Sequence, residues 1–339
     1  MKIIDLTKNN SRTQDRLLPA VDAIKNGNLV VIPTETVYGL AADCFNISAV
    51  NKIFLVKNRP YSDPLIVHIS NLRQLHQVVK YIPENAKKII KVFWPGAVSL
   101  VLYKKSSVPD IVTAGLKTVC IRMPENEVTR KFIELCGTPL AVPSANIFSR
   151  VSATDISHII KDFDGVKEIK YVIYTGRPKY GIESTVIDCT SYPFRVLRYG
   201  AVDIEEIKKK CKVEIIEQKR IFQKKSPGMF KKHYAPIKPT YVSFNITKYI
   251  KTVTKEELNN VTIVCSKKTK DKLREILKDG SSVITYGNTL KEIAKNLYLC
   301  LRLAEEMDTK KIVVEATKMS GLGKTIMDRL LKASEGKIV

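Results

Sequence analysis

The sequence predicts a mixed α/β protein with a large domain followed by a small doubly wound domain. Short apolar runs alternate with amphipathic segments over roughly the first 200 residues, a pattern typical of strands alternating with helices. The alternation begins again after a basic stretch and gives three strand–helix pairs over about 75 residues, which predicts a small parallel sheet. The length of 339 residues also favours two domains, at roughly 100–200 residues each.

The elements of the large domain follow from apolar spacing and from the residues that end each run. An apolar face and the stop signal at Asn26-Gly27 predict a helix over Pro19–Asn26. Leu29–Ile32 is an apolar run that ends at a proline, as a buried strand does. Further helices are predicted at Ser48–Lys57, Leu72–Val79, Ala86–Phe93 and 201–210, and further strands at Leu65–Ile69, Val98–Tyr103, Thr118–Arg122, Leu140–Val142, Tyr171–Tyr174 and Thr185–Asp188.

A basic stretch separates the two domains. Between Gln218 and Thr240 the sequence has seven basic residues and no acidic one, and it is punctuated by prolines. This composition is typical of a linker. We therefore place the large domain at 1–210, the linker at 211–240 and the small domain at 241–339. The small domain has predicted strands at Val261–Ser266, Val283–Tyr286 and Ile312–Glu315, and predicted helices at Lys270–Lys278, Thr289–Asp308 and Lys324–Lys332.

The composition excludes several classes of protein. Seven cysteines without a CxxC pair do not make a disulfide framework or a zinc ribbon, and they favour reduced thiols in a cytosol. The chain has no apolar signal segment and no apolar run of membrane-spanning length, so we expect a cytoplasmic protein without membrane contact. The net charge of +23 favours polyanions such as ATP or RNA. The alternative is a lysine-rich surface without a specific partner.

Polar side chains crowd the end of the first predicted buried strand. Thr34, Glu35, Thr36 and Tyr38 directly follow Leu29–Ile32, and ligands in α/β folds gather where strands end. Such side chains are costly to place there unless they are hydrogen-bonded. The sequence therefore predicts either a binding site here or a helix entry capped by Thr36.

Cationic side chains add charge to the candidate site. Lys57 and Arg59, at a predicted helix end, can clamp a phosphate chain or can simply complement the helix C-terminus. Arg122 shares a strand face with Thr118 and Cys120. This setting suits a buried carboxylate partner, and the alternative is a cation on an edge strand.

Three further segments carry small polar residues or glycines. PSAN at 143–146 and GIESTVID at 181–188 lie at strand ends, where free backbone N–H groups can hold phosphate. GLGKT at 321–325 lacks the first glycine of a phosphate-binding loop, because that position is Lys318. We interpret it as a turn into the last helix.

Eight segments stand in a fixed order along the chain. They are PTETVYGL at 33–40, KNRP at 57–60, DPLIVH at 63–68, WPGAVSLVL at 94–102, TVCIRMP at 118–124, PSAN at 143–146, GIESTVID at 181–188 and SPGMFKKHYAP at 226–236. Taken together, they resemble the threonylcarbamoyl-AMP synthase family in its long form. The resemblance implies a YrdC-like twisted mixed sheet with a basic cleft, followed by a small Rossmann-like domain.

The chemistry of that family joins L-threonine, bicarbonate and ATP into threonylcarbamoyl-AMP and releases pyrophosphate. The resemblance implies a nucleotidyltransferase that uses Mg²⁺ together with ATP as substrate. It also implies a partner, the tRNA threonylcarbamoyl-transfer machinery, which modifies the adenosine next to the anticodon of certain tRNAs.

The resemblance also assigns residues. Threonine is expected at Thr36, His68, Arg122, Val142 and Ser184. ATP is expected at Lys57, Arg59, Asp63, Thr118, Ser144, Asn146, Ser152, Arg198 and Tyr234, with Lys57 and Arg59 as the catalytic cations. Tyr234 falls in the linker, so the linker is expected to fold over the cleft as a lid. The ligands of Mg²⁺ are not identified.

The chain departs from the family pattern at two places, and two other functions stay open. Asp63 stands where the family commonly has Asn, and its carboxylate repels phosphate unless it meets Mg²⁺ or a cation. The segment 176–181 is bulkier and more basic than usual. The high net charge is typical also of a double-stranded RNA or tRNA-binding module without turnover, although no RNP-type aromatic motif is present. A related synthase that uses another carbamoyl donor is the second alternative function.

Overall fold

The computed structural model describes residues 1–8, 13–217, 233–273 and 282–339. These residues form an eleven-stranded sheet and a separate four-stranded sheet, each covered by helices. Residues 218–232 of the predicted linker, and residues 274–278 of the helix predicted at Lys270–Lys278, lie outside the described residues.

The large unit contains eleven strands and eight helices within the described residues. The strands are β1 (Lys2–Asp5), β2 (Leu29–Ile32), β3 (Gly39–Asp43), β4 (Ile66–His68), β5 (Val98–Tyr103), β6 (Thr118–Arg122), β7 (Leu140–Ala141), β8 (Ile169–Tyr174), β9 (Thr185–Asp188), β10 (Phe194–Arg198) and β11 (Ile215–Glu217). The helices are α1 (Thr13–Lys25), α2 (Ile47–Lys57), α3 (Leu72–Val78), α4 (Glu84–Phe93), α5 (Asp110–Thr113), α6 (Glu127–Cys136), α7 (Ile156–Phe163) and α8 (Ile204–Cys211).

The large sheet is mixed, as predicted. Its order is β1-β8-β2-β3-β7-β4-β6-β5-β9-β10-β11. The pairs β4–β6 and β5–β9 are parallel, whereas β2–β3 and β5–β6 are antiparallel. One apolar core includes Ile53 and Phe54 of α2 and Ile89 of α4, and a second includes Leu17 of α1 and Phe132 of α6. Full burial of each such side chain stabilises the fold by roughly 1.5–3 kcal/mol.

The small unit is a parallel sheet with helices packed against it. Its order is β12-β15-β13-β14, and every pair is parallel. Its core also takes in Val37, Val151 and Ile182 of the large unit, so the two units share buried apolar surface. The strands are β12 (Thr240–Ser243), β13 (Val261–Cys265), β14 (Val283–Thr285) and β15 (Lys311–Glu315), and the helices are α9 (Ile246–Thr252), α10 (Lys255–Asn259), α11 (Lys267–Leu273), α12 (Leu290–Glu306) and α13 (Leu322–Ala333).

Polar contacts also join the two units. Arg302 of α12 pairs with Asp162 of α7 at 2.6 Å, and both side chains are buried. Arg177 donates to the Asn296 side chain at 3.0 Å. The bulky basic segment at 176–181 is therefore part of the contact with the small unit.

Several elements have the predicted bounds, and others differ for identifiable reasons. The strands Leu29–Ile32, Val98–Tyr103, Thr118–Arg122 and Thr185–Asp188 are confirmed. The helix predicted from Pro19 begins earlier, at Thr13, and contains the proline. The buried face of this helix compensates for the hydrogen bond that the proline removes.

Two interpretations of short motifs are now decided. Thr36 does not cap a helix, because the next element is the strand β3. Gly321 directly precedes α13 with a φ of 53°, which confirms the turn into the last helix. Within the described residues, no helix has the length and apolarity needed to cross a membrane.

Candidate functional site

A cavity of about 50 Å³ opens on the large unit where several strands begin or end. Nine of the residues assigned by resemblance line this cavity. They are Thr36, His68, Arg122, Val142 and Ser184 of the threonine set, and Arg59, Ser144, Arg198 and Tyr234 of the ATP set.

Arg122 is held by three partners at the end of β6. Its Nη2 lies 2.6 Å from Glu35 Oε1, its Nη1 donates to Thr36 Oγ1 at 2.7 Å, and its Nε donates to the Gly96 carbonyl at 3.2 Å. The predicted buried carboxylate partner is thus confirmed. β6 lies between β4 and β5, so the edge-strand alternative is wrong.

The loop after β2 is organised by two threonine hydroxyls. Thr36 Oγ1 accepts from Arg122 and lies 2.8 Å from Thr34 Oγ1, which in turn donates to the Val37 carbonyl at 2.6 Å. Because Thr34 uses its proton on that carbonyl, the Thr36 hydroxyl donates to Thr34. This chain of hydrogen bonds explains why so many polar side chains can be buried at the strand end.

Ser184 and Arg198 form a second polar group in the cavity wall. Arg198 Nη2 donates to Ser184 Oγ at 3.0 Å, and its Nε donates to the Ser184 carbonyl at 3.1 Å. Ser184 Oγ also lies 2.8 Å from Ser99 Oγ. The strand ends of β9 and β10 therefore present a fixed guanidinium beside a fixed hydroxyl.

Arg59 is the cation that pairs with the unusual Asp63. The Arg59 guanidinium lies 2.8 Å from Asp63 Oδ2, and both side chains are buried. Arg59 also donates to the Pro64 carbonyl at 2.9 Å. The carboxylate thus meets a cation of the protein, which was one of the two conditions set for its presence near phosphate. Asp63 itself does not line the cavity.

Lys57 lies beneath the site. The side chain is 1% exposed, and its ammonium donates to the carbonyls of Ser144, at 2.6 Å, and Asn146. Burial, with the nearby charge of Arg59, lowers the pKa of Lys57 well below its ordinary value. In this structure Lys57 therefore holds the 144–146 loop in place and does not line the cavity.

Glu183, in the cavity wall, is one of the residues that sequence reasoning did not single out. Its carboxylate accepts from Ser152 at 2.8 Å, from Tyr298 at 2.8 Å and from Arg329 at 2.9 Å. Burial opposes its ionisation, but Arg329 and Arg198 hold the pKa of Glu183 below its ordinary value. The carboxylate is therefore charged and fully satisfied.

His233 and Tyr234 close the cavity from the segment after the undescribed linker residues. Both side chains are buried and line the cavity, and their ring centroids lie 3.9 Å apart. The adjacent Ala235 N–H donates to the Ser149 carbonyl at 2.9 Å. Burial and the charge of Arg59 lower the pKa of His233 well below its ordinary value, so this imidazole is neutral.

The remaining assigned residues lie outside the cavity lining. Asn146 donates to the Ile147 and Arg150 carbonyls, at 2.7 and 2.9 Å, and shapes the loop that carries Ser144. Ser152 contacts the site only through Glu183. Thr118 begins β6, at the opposite end from Arg122, and Cys120 between them belongs to a small apolar cluster with Ile66 and Val186.

Glu183, His233 and Arg329 are the functional candidates that the sequence analysis missed. Glu183 and His233 fall inside quoted motifs, which gave their positions but assigned them no role. Arg329 is in the final helix, and its contact with Glu183 depends on how the two units pack. Within the described ranges, no three His, Cys, Asp or Glu side chains are grouped to hold a metal ion.

Two family models match the chain in succession. The family model described as "Telomere recombination", named for Sua5, YciO and YrdC, matches residues 22–200. The model described as "Threonylcarbamoyl-AMP synthase, C-terminal domain" matches residues 202–335. The two models together span the site-bearing unit and the small unit.

Two curated relatives and one solved structure match over nearly the whole chain. The threonylcarbamoyl-AMP synthase of Pyrococcus abyssi is 39% identical, over 94% of each chain. The synthase of Bacillus subtilis is 34% identical, over 99% of this chain and 98% of its own. The crystal structure of P. abyssi Sua5 complexed with L-threonine has a TM-score of 0.90 and 37% identity, and it covers 100% of this chain and 99% of its own. The chain belongs to the threonylcarbamoyl-AMP synthase family, in its long two-domain form.

Proposed function

We propose that this protein is an L-threonylcarbamoyladenylate synthase. The amine of L-threonine combines with bicarbonate to form a carbamate and water. A carbamate oxygen then attacks the α-phosphorus of ATP. Pyrophosphate leaves as the bond breaks between the α-phosphorus and the oxygen that bridges it to the β-phosphorus. The observation that carries the proposal is one cavity, in a member of this family, lined by Arg59, Arg122 and Arg198.

The threonine half of the proposed site is the group around Arg122. All five residues assigned to threonine line the cavity, and a relative 37% identical was solved with L-threonine. A guanidinium suits the amino-acid carboxylate, and Thr36 and Ser184 supply hydroxyls. Burial lowers the pKa of His68 well below its ordinary value, so it acts as a neutral hydrogen-bonding group.

The ATP half is the group around Arg59, Ser144, Arg198 and Tyr234. Fixed guanidinium groups stabilise the charge that develops on the transferred phosphoryl group and on pyrophosphate. Lys57, Asn146 and Ser152 support this half from behind, and Asp63 does so through Arg59. Ile66, which belongs to the apolar cluster with Cys120, lines the cavity and gives this half an apolar contact.

Mg²⁺ enters this proposal as the ion that accompanies ATP. The carboxylates near the cavity, Glu35, Asp63 and Glu183, each pair with an arginine. We therefore assign the Mg²⁺ ligands mainly to phosphate oxygens and water, as is usual for nucleotide-bound magnesium.

Pyrophosphate release tests the proposed function. Purified protein is incubated with ATP, Mg²⁺ and bicarbonate, and pyrophosphate is measured with each of the common amino acids in turn. We expect release that needs both L-threonine and bicarbonate. Salt-sensitive tRNA binding without release would instead favour the RNA-binding alternative, and release with another carbamoyl donor would favour the related synthase.

The adenylate is a reactive intermediate, so the proposal includes a protein that consumes it. We propose the tRNA threonylcarbamoyl-transfer machinery as this partner, with tRNA contact favoured by the net charge of +23. We also place the protein in the cytoplasm. Its seven cysteines are free and buried, as is usual in a reducing compartment.

A further inference from the structure

A guanidinium from the small unit lies behind the cavity wall. Arg329 of α13 is 0% exposed, although arginine is almost never fully buried unless it is paired. Its Nε donates to Glu183 Oε2 at 2.9 Å, its Nη2 donates to the Tyr199 carbonyl at 2.7 Å, and its Nη1 pairs with Asp328. Glu183 lines the cavity. The small unit therefore supplies the charge that neutralises a carboxylate in the cavity wall.

The same guanidinium contacts Tyr234. Arg329 Cζ lies 4.8 Å from the Tyr234 ring centroid, and the Tyr298 ring stacks on Tyr234 at 5.6 Å. Tyr298 also donates to Glu183. Two side chains of the small unit thus fix both an aromatic ring and a carboxylate at the cavity.

Tyr234 shows signs of a residue placed for a ligand. It is 1% exposed and lines the cavity, and its hydroxyl has no hydrogen-bond partner among the described residues. Its φ of 59° lies in the left-handed region, which is unfavourable for a bulky residue. Strain of this kind persists where the surroundings enforce it, often at a ligand site.

Stability alone is a weak reason for the buried pair. Replacing a buried ion pair by apolar side chains is often neutral or stabilising, whereas removing one partner leaves an uncompensated charge. Here the uncompensated charge would be a carboxylate facing a cavity proposed to take a triphosphate. The pair is therefore better explained by electrostatics at the ligand.

We propose that Arg329 is a positioning residue for the nucleotide, which neutralises Glu183 and holds Tyr234 at the cavity wall. The small unit then completes the ATP half of a site that lies mostly in the large unit. This inference rests on the proposed function, because it assumes that the cavity binds ATP.

The test is calorimetric binding of α,β-methylene-ATP with Mg²⁺ to the full-length protein. We expect Arg329→Met to weaken binding by about tenfold or more, because Glu183 then repels the phosphates. Adding Glu183→Gln in the same chain should restore most of the affinity. In turnover assays the KM for ATP should rise, while the KM for L-threonine should change by less than about twofold.

Two further variants complete the design. Lys161→Ala removes an exposed ion pair with Glu306 across the same interface and should bind the analogue as the wild type does. Tyr298→Phe removes only the hydroxyl that contacts Glu183 and should weaken binding by about threefold. This variant and the double variant carry the test if Arg329→Met does not fold.

The outcomes separate the two proposals. Unchanged binding in Arg329→Met, or no recovery in the double variant, would overturn the positioning role and leave the proposed function intact. If Arg329→Met does not fold, either of two results would overturn the positioning role of Arg329. One is that Tyr298→Phe binds the analogue as tightly as the wild type does, and the other is that the double variant binds it more weakly than the wild type does. If the wild-type protein binds no analogue and releases no pyrophosphate, both proposals are wrong.

Discussion

Single residues of the cavity show how its positive charge is kept in place. Arg122 pairs with Glu35, and Arg59 pairs with Asp63. Each guanidinium is buried and fixed by a carboxylate of the protein, so it needs little reorganisation when an anionic ligand arrives. Preorganised charge of this kind is a major source of catalytic stabilisation.

Arg122→Lys tests the threonine half of the site. A lysine keeps the charge but cannot contact Glu35, Thr36 and Gly96 together, because it lacks the planar fork. We expect the KM for L-threonine in pyrophosphate release to rise by about tenfold or more, with the affinity for the ATP analogue unchanged. The matched control is Arg130→Lys, since Arg130 donates to backbone carbonyls away from the cavity. An equal effect in both variants would contradict the assignment.

Lys57→Ala tests the residue beneath the ATP half. The carbonyls of Ser144 and Asn146 lose their donor, so we expect pyrophosphate release to fall by at least about 100-fold and the free energy of unfolding by about 1–3 kcal/mol. Lys52→Ala is the control, because Lys52 lies on the same helix and donates to the Gly27 carbonyl at 2.7 Å. Full activity in Lys57→Ala, measured beside urea unfolding, would exclude Lys57 from the site.

The sequence predicted which residues belong to the site better than it predicted the contacts that these residues make. Arg122 was expected to have a buried carboxylate partner, but the partner, Glu35, could not be named because β2 and β6 are distant in the chain. Lys57 was expected at phosphate, whereas its ammonium points to the 144–146 loop. Such contacts are set by tertiary packing, on which local sequence gives no information.

At the scale of elements, the loop at 176–183 connects the cavity to the small unit. Gly181 lies in this loop with a φ of 70°, and a Cβ at this position would lie 2.3 Å from the Lys295 carbonyl oxygen of α12. The glycine is therefore required both by the backbone conformation and by the close approach of α12.

Gly181→Ala should disturb the contact between the two units. We expect a loss of about 2–4 kcal/mol in the free energy of unfolding, because the backbone strain and the clash add. Gly165→Ala is the matched control, since it has a φ of 72° but open space around it, and it should cost about 1 kcal/mol. Equal urea midpoints for the two variants would show that α12 does not pack tightly here.

His158 gives α7 a pH-dependent stability. Burial, with the charge of Arg302, lowers the pKa of His158 to about 4, and its Nδ1 accepts from the Thr154 N–H at 3.2 Å. In an unfolded chain the pKa is about 6.5, so protonation favours unfolding. The unfolding free energy that neutral His158 contributes is present above pH 6.5 and is lost as the pH falls towards 4.

His158→Gln tests this sign. Between pH 6.5 and pH 4, the wild type should lose about 3 kcal/mol more unfolding free energy than the variant, as measured by urea unfolding at each pH. Parallel stability profiles would contradict the role of His158.

Elements with continuous apolar runs were predictable, and elements made of small residues were not. The strand β3 contains one glycine and two alanines, which have low strand propensity. It exists because β2 and β7 pair with it on either side. The helix α1 extends past Pro19 for a similar reason, since its buried face outweighs the local signal.

At the scale of the whole molecule, the cavity belongs to the large unit, but part of its wall is held by the small unit. A chain that ends at Glu217 keeps β11 and the five residues assigned to L-threonine. It loses Tyr234, Tyr298 and Arg329. We expect it to unfold cooperatively and to bind L-threonine within about threefold of the full chain. Pyrophosphate release should fall by at least about tenfold. Unchanged turnover would show that the small unit is dispensable.

The two-unit architecture was predictable because the pattern of strands and helices begins again after the basic stretch. The way the units pack was not, because Arg329 and Glu183 carry no local signal of their contact. The linker predicted over 218–232 stays a prediction.

Carbon transfer from bicarbonate tests the central claim most directly. The protein is incubated with ATP, Mg²⁺, L-threonine and ¹³C-bicarbonate, and the nucleotide product is identified by mass spectrometry. The account predicts a threonylcarbamoyl-adenylate that carries the ¹³C label. An adenylate of threonine without the label, or hydrolysis of ATP with no amino-acid adduct, would contradict it.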